Sequence, residues 1–218
     1  MTNIIFDYDG TLHETSYIYY PAFLSAYKYL VESGYRQNRN FEVKEVTKWL
    51  GYNKYEMWES FGPDLPKEVK DHASDIIGEE MIHLIKNGTA KLYPGIEETL
   101  TKLVKDGYRL IFLSNCKNIY METHRKNFNL DRFFTDYFCA EDYNFKPKYE
   151  IFKDLKSNYQ GEYIVVGDRF HDIEMAKKHN LSSIGAGYGY SQDGELKSAD
   201  YIITSPGDLY PTIKKLKQ

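Results

Sequence analysis

The chain has 218 residues, 42% hydrophobic and 28% charged, with a formal net charge of −4. That length holds one sizeable domain, or a core with a smaller insert, and the composition is that of a packed globular protein rather than a disordered one. The charge offers no general attraction to nucleic acid or an anionic membrane, and no apolar run approaches the roughly 18–20 residues of a spanning helix.

The first element is short. Ile4, Ile5 and Phe6 read as a buried strand that runs directly into Asp7, Asp9, Gly10 and Thr11. The next stretch has no convincing strand: helices are expected over residues 19–33, 42–50 and 67–86, stopped by Gly34, Gly51 and Gly88. The pattern then changes to alternation. A helix over 94–106 precedes the strand "YRLIFLSN", a helix over 117–128 precedes "DYFCAED", and a helix over 148–157 precedes "EYIVVGD". A helix over 169–179, the strands "SSIGAG" and "DYIIT", and a helix over 206–216 close the chain, with the "KKLK" cluster read as a helix C-terminus. Short apolar strands alternating with helices predict an α/β fold, a Rossmann-like parallel sheet flanked by helices. Residues 1–14 and 91–218 are expected to form that core, and residues 15–90 an inserted all-helical cap.

Open α/β sheets bind ligands beyond the carboxyl ends of their strands. Those ends carry Asp7 and Asp9, Ser114 and Asn115, and Asp168 with Asp172, while Lys146 lies on the segment after "DYFCAED". Several carboxylates in one crevice are costly without a cation, and a hard divalent ion such as Mg²⁺ resolves the conflict beside a phosphoryl group. A carboxylate can attack phosphorus, and a second one two residues on can act as acid and then base. Gly10 permits the tight turn, and Thr11 and Ser114 offer donors.

"DYDGTL" (7–12), "LSN" (113–115), the lysine of "FKPKYEIF" (145–152) and "VGDRFHD" (166–172), in this order, resemble the four motifs of the haloacid dehalogenase superfamily. The long helical insert resembles the C1 cap of its phosphoglycolate phosphatase-like branch. The resemblance implies Asp7 as nucleophile, Asp9 as acid/base, and Lys146 as the cation on the phosphoryl group and nucleophile. It implies phosphate contacts from Asp7, Thr11, Ser114, Asn115 and Lys146. It also implies Mg²⁺ on Asp7, the Asp9 main-chain carbonyl and Asp168, with Asp172 a ligand or a partner through water. Arg169 departs from the threonine common after the third aspartate, and is expected to alter how the cap or substrate meets the site.

The resemblance implies a phosphatase acting on a small phosphorylated metabolite. A β-phosphoglucomutase-like sugar phosphomutase and a pyrophosphatase remain as alternatives, and a dehalogenase is disfavoured by Asp9. A receiver domain is disfavoured by the helical insert and by the acid's place on the first strand. "GAGYGY" (185–190) puts Tyr190 where a dinucleotide fingerprint needs glycine, so it reads as a glycine-rich loop after the fifth strand. Cys116 and Cys139 form no CxxC pair and read as reduced buried thiols in a cytoplasmic protein; no secretory leader is expected. In the cap, Trp49, Tyr52, Lys54, Tyr55 and Trp58 are expected mostly to pack its core, with Lys54 and Tyr20 as candidates to touch the substrate. A monomer is the default, with a dimer left open; neither nucleic acid nor membrane is an expected partner.

Overall fold

The structure, a computed structural model, describes residues 1–216. Lys217, the last lysine of the "KKLK" cluster, lies outside the described residues, as does Gln218.

Six strands form one parallel sheet: β1 (Thr2–Phe6), β2 (Arg109–Ser114), β3 (Phe134–Cys139), β4 (Glu162–Gly167), β5 (Ser182–Ala186) and β6 (Tyr201–Ile203). Their spatial order is β3-β2-β1-β4-β5-β6. Successive side chains on a strand point to opposite faces, so a sheet covered on both sides needs apolar residues at every position. The two faces sort accordingly. Ile4, Phe6, Leu110, Phe112, Ile164 and Val166 pack into one cluster, and Ile5, Ile111, Leu113 and Val165 into another. The first cluster is covered by α5 (Ile96–Lys105), α6 (Asn118–Asn127) and α9 (Leu209–Lys215). The second is covered by α7 (Lys148–Asn158) and α8 (Phe170–His179).

The insert after β1 is helical, as the sequence predicts: α1 (Ser16–Glu32), α2 (Val43–Thr47), α3 (Lys54–Phe61) and α4 (Lys67–Lys86). It has its own core, in which Phe23 is ringed by Tyr27, Phe41, Trp49 and Phe61, the last three with centroids 5.1–5.4 Å away. Helix α3 is not among the sequence expectations, yet its start is written in the chain. The Asn53 side chain accepts from the Tyr55 and Glu56 amides, and the Glu56 carboxylate accepts from the Asn53 amide at 3.0 Å. This reciprocal cap is signalled by Asn-x-x-Glu. The Cys116 and Cys139 thiols are free, their sulfurs 3.7 Å apart.

Because the cap is a small cluster built around one ring, Phe23→Ala is expected to cost about 3–5 kcal/mol in urea unfolding. A loss below about 1 kcal/mol would show that the cap core does not depend on that ring.

Candidate active site

The strand order places a crevice at one point. The chain steps outward from β1 through β2 to β3, then returns to lay β4 on the other side of β1. At such a reversal the connections above β1 and β4 diverge and leave a cleft at the carboxyl ends. Asp7 follows β1 and Asp168 follows β4; the Asp7 amide donates to the Val166 carbonyl at 2.9 Å, which locks the two ends together. Asp172 sits in the first turn of α8, where a carboxylate is favoured by the exposed amides. Its Oδ2 accepts from the Arg169 amide at 3.3 Å.

Asp7, Asp168 and Asp172 are all buried, and each has a carboxylate oxygen within 4.8 Å of the other two. Between them stands the ammonium of Lys148, 2.6 Å from Asp7 Oδ1 and 2.7 Å from Asp172 Oδ1. Burial by itself lowers the lysine, but the two carboxylates outweigh it and hold Lys148 above the ordinary lysine range. Burial pushes Asp7 up to about 7 against the pull of Lys148, with Asp172 and Asp9 adding to the rise. Burial, with Asp7 next to it, also raises Asp168 well above the carboxylate range.

One ammonium against three carboxylates leaves the cluster short of positive charge. Asp168 makes the shortage specific: its Oδ2 accepts from the Tyr190 amide at 2.6 Å, while its buried Oδ1 has no partner among the described residues. An unpartnered buried carboxylate oxygen beside two more carboxylates is a donor set suited to a hard divalent cation such as Mg²⁺.

The lysine that stands among the acids is Lys148, and Lys146, expected there, lies outside the cluster. Lys146 is exposed and precedes Pro147, outside α7. Lys148 is the first residue of that helix, and the buried positions of α7 are Lys148, Ile151, Phe152 and Leu155. Those positions are spaced i, i+3, i+4, i+7, the stripe a helix turns toward the sheet. That periodicity was the available signal.

Asp9 lies beside this cluster but is engaged elsewhere. Its Oδ1 accepts from the Tyr120 hydroxyl at 2.6 Å and the Thr15 hydroxyl at 2.8 Å, and lies 3.2 Å from His13 Nδ1. His13 in turn stacks on Tyr8 and meets His124 edge-on. None of the three is among the sequence expectations: the Tyr120 contact spans 111 residues of chain and leaves no local signal, while His13 and Thr15 follow Asp9 closely at i+4 and i+6. Ser114 is buried at the end of β2, and Thr11 is buried with its hydroxyl 3.5 Å from Asp7 Oδ2. Asn115 donates instead to the Gly51 carbonyl of the cap at 2.9 Å. The "GAGYGY" loop closes on the site, with the Tyr188 hydroxyl on the Thr11 carbonyl and the Tyr190 hydroxyl on the Ser16 amide.

Arg169 is buried where the cap meets the core. Its guanidinium donates to both carboxylate oxygens of Glu195, at 2.8 and 3.1 Å, and to the Lys48 and Leu50 carbonyls of the cap. It also stacks on Tyr52, 4.9 Å from the ring centre. Above the acids, cap and core enclose a cavity of about 620 Å³ that reaches Asp7, Asp9, Ser114, Lys54 and Lys117. Tyr20 is turned within the cap, donating to the Phe41 carbonyl at 2.8 Å.

A parallel sheet with this strand order, a helical insert after its first strand and an acidic crevice at the switch point define a known class of hydrolase. Residues 4–186 match the haloacid dehalogenase-like hydrolases, and the chain belongs to that family. Two relatives and one solved structure indicate the range of likeness. A 5'-nucleotidase of Pseudomonas aeruginosa is 28% identical over half of this chain and 51% of its own length. A pyrophosphatase, PpaX, of Halalkalibacterium halodurans is 25% identical over 96% of this chain and 95% of its own. The crystal structure of a predicted phosphatase from Clostridium acetobutylicum superimposes with a TM-score of 0.83 at 21% identity, covering 98% of both chains.

Lys148→Met removes the cation between Asp7 and Asp172 and is expected to destabilise the metal-free protein by about 3–5 kcal/mol near neutral pH. The penalty should shrink as the pH falls, because the stranded carboxyls then protonate. Lys146→Ala should change stability by less than about 0.5 kcal/mol. Urea unfolding of both variants at two pH values checks this, and equal effects would remove Lys148 from its assigned place.

Proposed function

We propose that this enzyme is a Mg²⁺-dependent phosphatase that hydrolyses a small phosphorylated metabolite in the cytoplasm through an aspartyl-phosphate on Asp7. The observation that carries the reading is the buried Asp7–Asp168–Asp172 cluster, with its partnerless Asp168 oxygen and with Lys148 on Asp7. Asp7 attacks phosphorus, forming a carboxylate oxygen–phosphorus bond while the ester oxygen–phosphorus bond breaks. Asp9 gives its proton to the departing alkoxide, then takes one from the water that hydrolyses the aspartyl-phosphate, releasing phosphate and restoring Asp7. The three contacts gathered on Oδ1 of Asp9 hold the carboxyl still and leave its other oxygen to exchange the proton.

Lys148 pulls Asp7 toward its ionised form and orients it, and Thr11 and Ser114 supply donors for the phosphoryl oxygens. Mg²⁺ would be held by Asp7, Asp168 and the Asp9 main-chain carbonyl, with Asp172 a ligand or a partner through water. When bound, it supplies positive charge for the phosphoryl oxygens. Asn115 serves the phosphate less directly than its motif suggests, since its amide is committed to the cap. The inserted cap (residues 15–90) closes the site from water. A pyrophosphatase reading draws support from the name of a relative that matches along nearly the whole chain.

Phosphate release from a panel of phosphomonoesters and pyrophosphate, with and without Mg²⁺, tests both readings. Wild type is expected to release phosphate only with Mg²⁺, and Asp7→Asn to be slower by at least about a thousandfold. Asp168→Ala should raise the Mg²⁺ concentration for half-maximal rate by about ten- to a hundredfold. Retained turnover in Asp7→Asn would remove the nucleophile; release from pyrophosphate alone would select the second reading.

A further inference from the structure

The cavity is larger and less polar than a minimal phosphate ester requires. Its volume of about 620 Å³ falls in the range of pockets for drug-sized ligands, whereas pyrophosphate and phosphoglycolate extend little beyond the phosphoryl group. Beyond Asp7, Asp9 and Ser114 the lining includes Trp49, Tyr52, Met57, Trp58, Ile82 and Tyr120, alongside charged side chains of the cap. The polar ends of the two indoles are taken up by serines of the cap. Trp49 Nε1 donates to Ser60 at 3.0 Å and Trp58 Nε1 to Ser74 at 2.6 Å, so the rings offer apolar surface.

The lysines at the cavity stand near acids of the cap or face solvent. Lys54 lies 3.7 Å from Asp71 and Lys117 3.7 Å from Asp75, while Lys86 is exposed to solvent. At the edge of the cavity Ile119 is 61% exposed, an apolar side chain with no covering of its own.

A further observation comes from the cap. Gly78 lies in the interior of α4 and lines the cavity, and a Cβ built on it would meet nothing within 4 Å. Glycine is among the poorest residues for a helix interior, and here no close contact requires it. Its effect is to leave one wall of the cavity open.

We infer that the enzyme takes a phosphomonoester whose leaving group is bulky, ring-bearing and mostly apolar, seated among Trp49, Tyr52, Met57 and Trp58. This rests on the phosphatase reading above. Phenethyl phosphate, glucose 6-phosphate and phosphoglycolate all release an alkoxide, so differences among them report the pocket more than the leaving group. With the full-length enzyme and Mg²⁺, kcat/KM for phenethyl phosphate should exceed the other two by at least about tenfold. Gly78→Leu, which improves the helix while filling the cavity, should reduce that preference by about tenfold with the helical circular dichroism retained.

The only two tryptophans of the chain both line the cavity, so their fluorescence reports occupancy without turnover. In Asp7→Asn, phenethyl phosphate should shift it saturably and glucose 6-phosphate should not. Turnover without preference, or a ratio unmoved by Gly78→Leu, overturns the inference and leaves the phosphatase standing. No turnover of any ester overturns the phosphatase, and the fluorescence titration then decides the pocket: a selective response upholds it and no response overturns it.

Discussion

The structure depends on a concentration of negative charge that the protein does not neutralise by itself. Three buried carboxylates share one ammonium, and a buried carboxylate oxygen of Asp168 faces no donor among the described residues. Burying charge without compensation is expensive, so such a cluster persists only where the fold over-determines it. The parallel sheet does so. Asp7 and Asp168 extend adjacent strands whose register is fixed by ladders on both sides, and Asp172 is set by the first turn of α8. The cost of this buried charge and its readiness for a cation are one property.

The acidic cluster belongs to the core. Asp7, Lys148, Asp168, Asp172 and Ser114 are carried by strands β1, β2 and β4 and helices α7 and α8, and the Tyr120 contact to Asp9 comes from α6. The cap supplies aromatic wall rather than reacting groups. A pocket with one end polar and fixed and the other apolar follows from bringing these two hydrophobic units together.

Much of this was legible in the chain. The six strands and the helical insert follow from short apolar runs and the long interval between them, because parallel strands and amphipathic helices impose different periods. The acids were legible because they stop strands. The lysine was misplaced by two residues: Pro147 invited attention to the residue before it, whereas the i, i+3, i+4, i+7 stripe beginning at Lys148 pointed to the buried one. Helix α3 was passed over although Asn53 and Glu56 announce its start. Tyr120 beside Asp9 was not legible, because a contact across more than a hundred residues leaves no local pattern, whereas His13 and Thr15 lie four and six residues from Asp9 and were passed over. Arg169 was visible as a departure from the motif, and its grip on the cap became apparent only with the loop in place.

That grip ends on the main chain. Arg169 holds the carbonyls of Lys48 and Leu50, and Asn115 holds the carbonyl of Gly51. Carbonyls are common to all twenty amino acids, so the core recognises this loop by its path and is blind to most of its side chains. Gly51 and Tyr52 are the exceptions: a Cβ at Gly51 would stand 2.6 Å from the Arg169 stem, and the Arg169 guanidinium lies over the Tyr52 ring. Trp49 is held by the cap core, where it stacks on Phe23, but pocket-lining side chains outside that packing, such as Lys54, are free to drift in descendants of this chain, which lets the pocket wall be rewritten without re-anchoring the cap.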